Sequence, residues 1–161
     1  MSHDVPEPGN FGLGGFELGT DGPSAILVGV DETVTATRAA WYAAGLARRQ
    51  HARLIAVYVA PFGGAAGTMG GASIVVAEDQ AHDEMATSMR ARAEVVGREL
   101  GISVEFITAH GDAYSEIKRI ADETRADAIV VGASAKAGHK LVGSLAVRLV
   151  RAGKWPVTVV P

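Results

Sequence analysis

The chain contains no cysteine, which excludes disulfides, thiolate nucleophiles and cysteine-ligated metal centres. Aromatic residues make up only 6% of it, so any core must be aliphatic. The net charge is −3 with histidines neutral, which offers no attraction to nucleic acid or an anionic membrane. No apolar run approaches the roughly 20 residues a membrane-spanning helix needs. The N-terminus also lacks the basic flank and hydrophobic stretch of a secretory signal. These absences lead to the expectation of a cytoplasmic protein that engages neither nucleic acid nor membrane.

What is present is a chain of 161 residues, 48% apolar and dominated by Ala, Val, Leu and Ile. That length suits one ordinary domain burying roughly two-thirds of its unfolded surface. The mix suits a Val/Ile sheet covered by Ala-rich helices. Residues 1–23 stand apart as an expected loose tail, rich in Gly and Pro and acidic, with no Lys or Arg. Within it, Phe11, Leu13, Phe16 and Leu18 are apolar enough to dock on the body or on a partner. Residues 24–161 form the expected domain.

Continuous apolar runs predict buried strands at 25–30, 54–60 and 127–131. An alternating run predicts a fourth over 102–109, and Val157 to Val160 predicts the last, bracketed by Pro156 and Pro161. Between them the periodicity predicts helices over 35–50, with Trp41 among its apolar positions, 77–100, 113–124 and 143–152. Residues 61–76 read as a Gly-rich loop, Gly101 as a helix C-cap, and His110-Gly111-Asp112 as a turn with an N-cap. His82 with Glu78 and Asp79 reads as a solvated helix face. Strand and helix alternate throughout, so the class is α/β: a single-domain open, mostly parallel sheet with helices on both faces.

In such sheets ligands bind beyond the carboxyl ends of the strands, where the strand order reverses. Three places qualify: Asp31, Val59 to Pro61, and Gly132 to Ser144. The last joins a buried strand to a helix, whose free N-terminal amides and Ser144 hydroxyl suit an anion. Lys136, His139 and Lys140 add positive charge beside it. The alternative is a solvated loop in which Ser144 only caps a helix. Asp31 suits ribose hydroxyls, or equally a helix cap. No histidine grouping has metal-ligand spacing, and no general base, metal-holding acid pair or activated nucleophile is apparent, so turnover is not expected. Arg148, Arg151 and Lys154 beside Trp155 read as solvated helix charge.

Val28-Gly29-Val30-Asp31, the Gly111-Asp112 turn, Ala128-Ile129-Val130-Val131-Gly132 leading to Gly143-Ser144, and the ending Trp155-Pro156-Val157-Thr158-Val159-Val160-Pro161 occur in that order. Together they resemble the universal stress protein family over about residues 24–161. The resemblance implies a five-stranded sheet of order 3-2-1-4-5, Rossmann-like and of the adenine nucleotide alpha hydrolase-like kind. It also implies a homodimer through the last strand, residues 157–160, an apolar edge best covered. The resemblance further implies a stress-response role and, in some members, a bound adenine nucleotide such as ATP.

Binders in that family resemble G-x2-G-x9-G-[ST]. By motif position, Asp31 would meet ribose, Val59 and Val131 would wall adenine, and Gly132, Gly143, Ser144 and Leu145 would hold phosphates. Ala135 stands where the second glycine would be, and seven residues separate it from Gly143. That length resembles the branch that does not bind nucleotide. Asp31-Glu32-Thr33 also departs from the family's frequent Asp-Gly-Ser. The expected function is therefore a non-enzymatic stress-response dimer, either nucleotide-binding or a nucleotide-free interaction module. A weak ATPase or autokinase is a third reading.

Overall fold

The computed structural model describes residues 22–62, 71–134 and 143–161, with residues 71–76 as main chain only. Five strands alternate with four helices: β1 (Ala25–Val30), α1 (Val34–Gln50), β2 (Arg53–Ala60), α2 (Gly71–Leu100), β3 (Val104–His110), α3 (Ala113–Glu123), β4 (Ala128–Gly132), α4 (Ser144–Ala152) and β5 (Val157–Val160). The strands form one parallel sheet of order β3-β2-β1-β4-β5. This is the expected Rossmann-like α/β architecture. The tail assigned to residues 1–23 lies almost wholly outside the described residues. Among those residues, no helix is long and apolar enough to cross a membrane.

β1 lies at the centre, and its apolar run follows from that position. Ile26, Leu27 and Val28 are fully buried because helices cover both faces of the strand. Leu27 joins Ile55, Ile117, Ile120, Ile129 and Leu149 on the face covered by α3 and α4. Ile26 and Val28 join Ala39, Ala43, Ala44, Ala47 and Val130 on the face covered by α1 and α2. Each fully buried Ile, Leu or Val contributes about 1.5–3 kcal/mol.

α1 lies close to the sheet because its inward stripe is alanine. Trp41, expected on that stripe, lies at its margin instead and is 56% exposed. The helix begins at Thr33, whose Oγ1 accepts from Ala36 N at 3.1 Å. α2 begins six residues before the expected start, because the Gly-rich composition ends at Gly71. It stops as expected at Gly101, which takes φ +65°. There Ile102 N donates back to Gly97 O at 3.0 Å, which satisfies a terminal carbonyl and delays β3 to Val104.

The N-terminal edges of β1 and β4 are tied together by Asp127. Its Oδ2 accepts from Ser24 N at 2.9 Å, Ser24 Oγ at 2.8 Å and Ala25 N at 2.9 Å. β5 pairs with β4 on one side only, so it is a sheet edge.

Candidate functional site

From β1 the chain crosses to β2 on one side, and after β3 it returns to β4 on the other. The order therefore reverses at the carboxyl ends of β1 and β4, where a doubly wound sheet leaves a crevice. A cavity of about 250 Å³ lies there. It gathers Asp31, Val59, Val131, Gly132, Gly143, Ser144 and Leu145, candidates drawn from four separate stretches of sequence. Lys136, His139 and Lys140, together with Ala135, lie outside the described residues.

The β1–α1 turn forms one wall. Asp31 Oδ1 accepts from Thr33 N at 2.7 Å, which braces the turn into α1, while the helix cap itself is Thr33 and not Asp31. The other carboxylate oxygen is not part of that bond. Thr35 Oγ1 donates to Ala133 O at 2.7 Å, which binds the start of α1 to the segment after β4. Gly132 lies directly beneath this junction. A Cβ on it would fall 2.6 Å from Ala36 N and Thr35 C, both main-chain atoms. Glycine is required here by the packing of β4 against α1, whatever else the position does.

The start of α4 forms the opposite wall. Gly143 is its N-cap, in extended conformation and with no side-chain cap hydrogen bond. Glycine brings no acceptor, so the first-turn amides behind it suit an external one. A Cβ on Gly143 would meet Ser134 Cβ at 2.8 Å, so the two ends of the connecting segment lie against each other. Asp31 is the sole carboxylate, and no Lys, Arg or His occurs, among the described residues lining the cavity.

Arg148, one turn along α4, is solvent-exposed as expected, and it is also paired. Its Nη1 donates to Asp112 Oδ1 at 3.0 Å, and its guanidinium lies 4.1 Å from the Tyr114 ring centre. Arg148 above all, and then Ser115, hold the Asp112 carboxyl down at about 2. Lys154 likewise pairs with Asp122 and lies over Trp155.

Sequence reasoning missed Thr33, Thr35, Ala113 and Ile117 as cavity residues. Nothing in local patterning shows that α3 reaches the crevice. His82 was also misread, since its Nδ1 lies 2.7 Å from the hydroxyl of Tyr58, which is 4% exposed. Burial pushes the Tyr58 hydroxyl up, and the negative charges of Glu32 and Asp31 push it further.

A larger cavity of about 500 Å³ opens between α1 and α2. It contains neither Gly132 nor the start of α4. The smaller cavity is the candidate site because it sets a carboxylate beside the glycine-capped start of α4.

The sequence profile of the Universal stress protein family matches residues 24–161. No curated protein sequence matches significantly. Among solved structures, the chain resembles the universal stress protein UspA from Lactobacillus plantarum, with 26% identity and a TM-score of 0.72 over 86% of this chain and 97% of that one. It also resembles a universal stress protein in complex with cAMP, with 22% identity and a TM-score of 0.65 over 86% and 97%. A third is the universal stress protein from Archaeoglobus fulgidus in complex with dAMP, with 24% identity and a TM-score of 0.59 over 85% and 97%. The chain belongs to the universal stress protein family.

Proposed function

We propose that this universal stress protein binds an adenine nucleotide carrying a single phosphate at the carboxyl ends of β1 and β4, without turning it over, and acts as a dimer in the cytoplasm. One observation carries the reading. The crevice sets a carboxylate, Asp31, and the glycine-capped start of α4 around one cavity that Val59 and Val131 also line. In this arrangement Asp31 accepts from ribose hydroxyls with the oxygen not bonded to Thr33. The two valines flank the base, and the amides at Ser144 and Leu145 take the phosphate with the Ser144 hydroxyl.

Three points favour one phosphate over three. The cavity, at about 250 Å³, is at the small end for a ligand site. The segment between Gly132 and Gly143 is shorter than the binder pattern. The ligands named for two structural relatives, cAMP and dAMP, each carry a single phosphate. Binding without turnover is supported by the described lining, whose single carboxylate already accepts from Thr33 N.

Calorimetric titration of nucleotide-stripped protein with AMP, cAMP and Mg²⁺–ATP tests this. Micromolar binding of AMP or cAMP, weakened at least tenfold by Asp31→Ala or Ser144→Trp, is expected. A flat trace to millimolar for all three ligands would refute it.

A second reading, a nucleotide-free dimeric interaction module, is favoured by Gly132. Its lack of a side chain is fully explained by packing against α1. A rise in melting temperature with nucleotide would count against that reading.

A further inference from the structure

We propose that the groove between α1 and α2 is the seat of the chain's own N-terminal segment, residues 11–18. The groove is apolar at its floor, with Val28, Ala56 and Phe106, and is walled by Trp41 on α1 and by Met89 and Arg92 on α2. At about 500 Å³ it has the size of a drug-like ligand site, room enough for several large side chains. Trp41 on its rim is 56% exposed, unusual for a tryptophan beside an apolar floor.

The position of the chain's exit favours this occupant. Gly22 packs against the end of α1, where a Cβ on it would fall 2.2 Å from Gln50 Oε1. The described chain therefore begins at the C-terminal end of α1, the helix that forms one wall of the groove. Along α1, the lining residues Ala44 and Thr37 lie about 9 Å and about 20 Å from Gln50 at 1.5 Å per residue. An extended chain spans about 13 Å from Gly22 to Leu18 and about 36 Å to Phe11. Leu18 thus reaches the near end of the groove, and Phe11 reaches the far end with length to spare.

The chemistry matches the register. Residues 8–16 are uncharged and carry Phe11, Leu13 and Phe16 among glycines. Glu17 follows, and Arg92 is the cation among the described lining residues. Asp21 immediately precedes Gly22 in the sequence, and Arg48 and Arg49 carry positive charge in the last turn of α1. Asp31 and Glu32 close the far end and repel Asp4 and Glu7, which leaves residues 1–7 outside.

Because the chain has no cysteine, paired cysteines report the docking cleanly in the full-length protein. The groove pair is Asn10→Cys with Thr37→Cys. The control is Asn10→Cys with Lys118→Cys, on α3 across the sheet. At low micromolar concentration under mild oxidation, the groove pair should cross-link within one chain at least tenfold faster than the control. Adding Phe11→Ser and Phe16→Ser should return it to the control rate. Equal rates would overturn the proposal. Cross-links found only between chains would overturn it in favour of a second copy's tail.

Anilinonaphthalene sulfonate provides a second measurement. Its fluorescence should rise severalfold when Phe11→Ser and Phe16→Ser empty the groove. Strong fluorescence already present in the unaltered protein, and unchanged by those substitutions, would mean an open groove for an apolar ligand and overturn the proposal.

Discussion

A methyl group at Gly132 has no room. Its carbon would sit 2.6 Å from Ala36 N and Thr35 C and 2.8 Å from Thr35 O, whereas ordinary contact begins at about 3.4 Å. All three are main-chain atoms, so no side-chain rotation relieves the clash. The turn is also held in place, by the Thr33 cap and by the bond from Thr35 Oγ1 to Ala133 O. Gly132→Ala must therefore drive β4 and α1 apart by most of an ångström. Overpacking costs roughly 1–3 kcal/mol, and contact with a pinned backbone places this case near the upper end, about 3 kcal/mol. For a chain of this size that lowers Tm by about 6–12 °C. Urea denaturation of nucleotide-free protein, followed by circular dichroism, measures it directly through the midpoint at constant slope. If Gly132→Ala stays within about 0.5 kcal/mol of the parent, a margin ordinary for surface changes, the packing argument fails. Glycine at 132 would then be explained only by a ligand's approach.

Asp127→Ala removes three accepted hydrogen bonds and strands the amide of Ala25, which is 2% exposed. A loss of about 1–3 kcal/mol by urea denaturation is expected, and no shift in midpoint would refute the role. Asp112 is held at about 2 by Arg148 and Ser115, below the ordinary value of 3.8. The unfolded chain thus binds more protons in between, so the Asp112 contribution is present above about pH 4 and fades as pH falls toward about 2. Asp112→Asn keeps an N-cap but should flatten stability over that window, and parallel profiles for parent and variant would contradict the assignment. At β5, the carbonyls of Pro156 and Val160 accept from Ile129 and Ala133, so the even-numbered residues face β4 and the Val159 amide faces outward. Val159→Pro should therefore convert a β5-paired dimer to monomer by light scattering with the fold intact. An unchanged dimer mass would place the interface elsewhere.

The fold was legible because each level of patterning agreed with the next. The unbroken run Ala25-Ile26-Leu27-Val28 belongs to a strand covered on both faces, and the order of the sheet came from resemblance in segments bracketed by such strands. The boundaries slipped where a local cap competed with strand pairing, as at Ile102, or where one glycine-rich stretch masked a helix start, as at Gly71. Trp41 was misplaced because apolar periodicity does not distinguish an alanine stripe that packs closely from a large ring on the rim. At the site, Asp31, Val131 and Ser144 were legible because they end or begin regular elements. Ala113 and Ile117 were not, because their place in the crevice depends on the angle at which α3 crosses the sheet.

The two cavities share a wall. Val30, Asp31 and Ala36 line both the crevice at the ends of β1 and β4 and the groove between α1 and α2. This turn is short and pinned at Thr33 and Thr35, so it moves as a unit or not at all. A segment seated in the groove and a nucleotide in the crevice therefore act on the same few residues, and any coupling between them is reciprocal. The dissociation constant for AMP, measured in the parent and in the Phe11→Ser, Phe16→Ser variant, reads that coupling. A change of about fivefold or more, typical of coupled sites, is expected if the turn adjusts to its groove occupant. Identical constants would show the turn to be rigid and the two cavities to be independent.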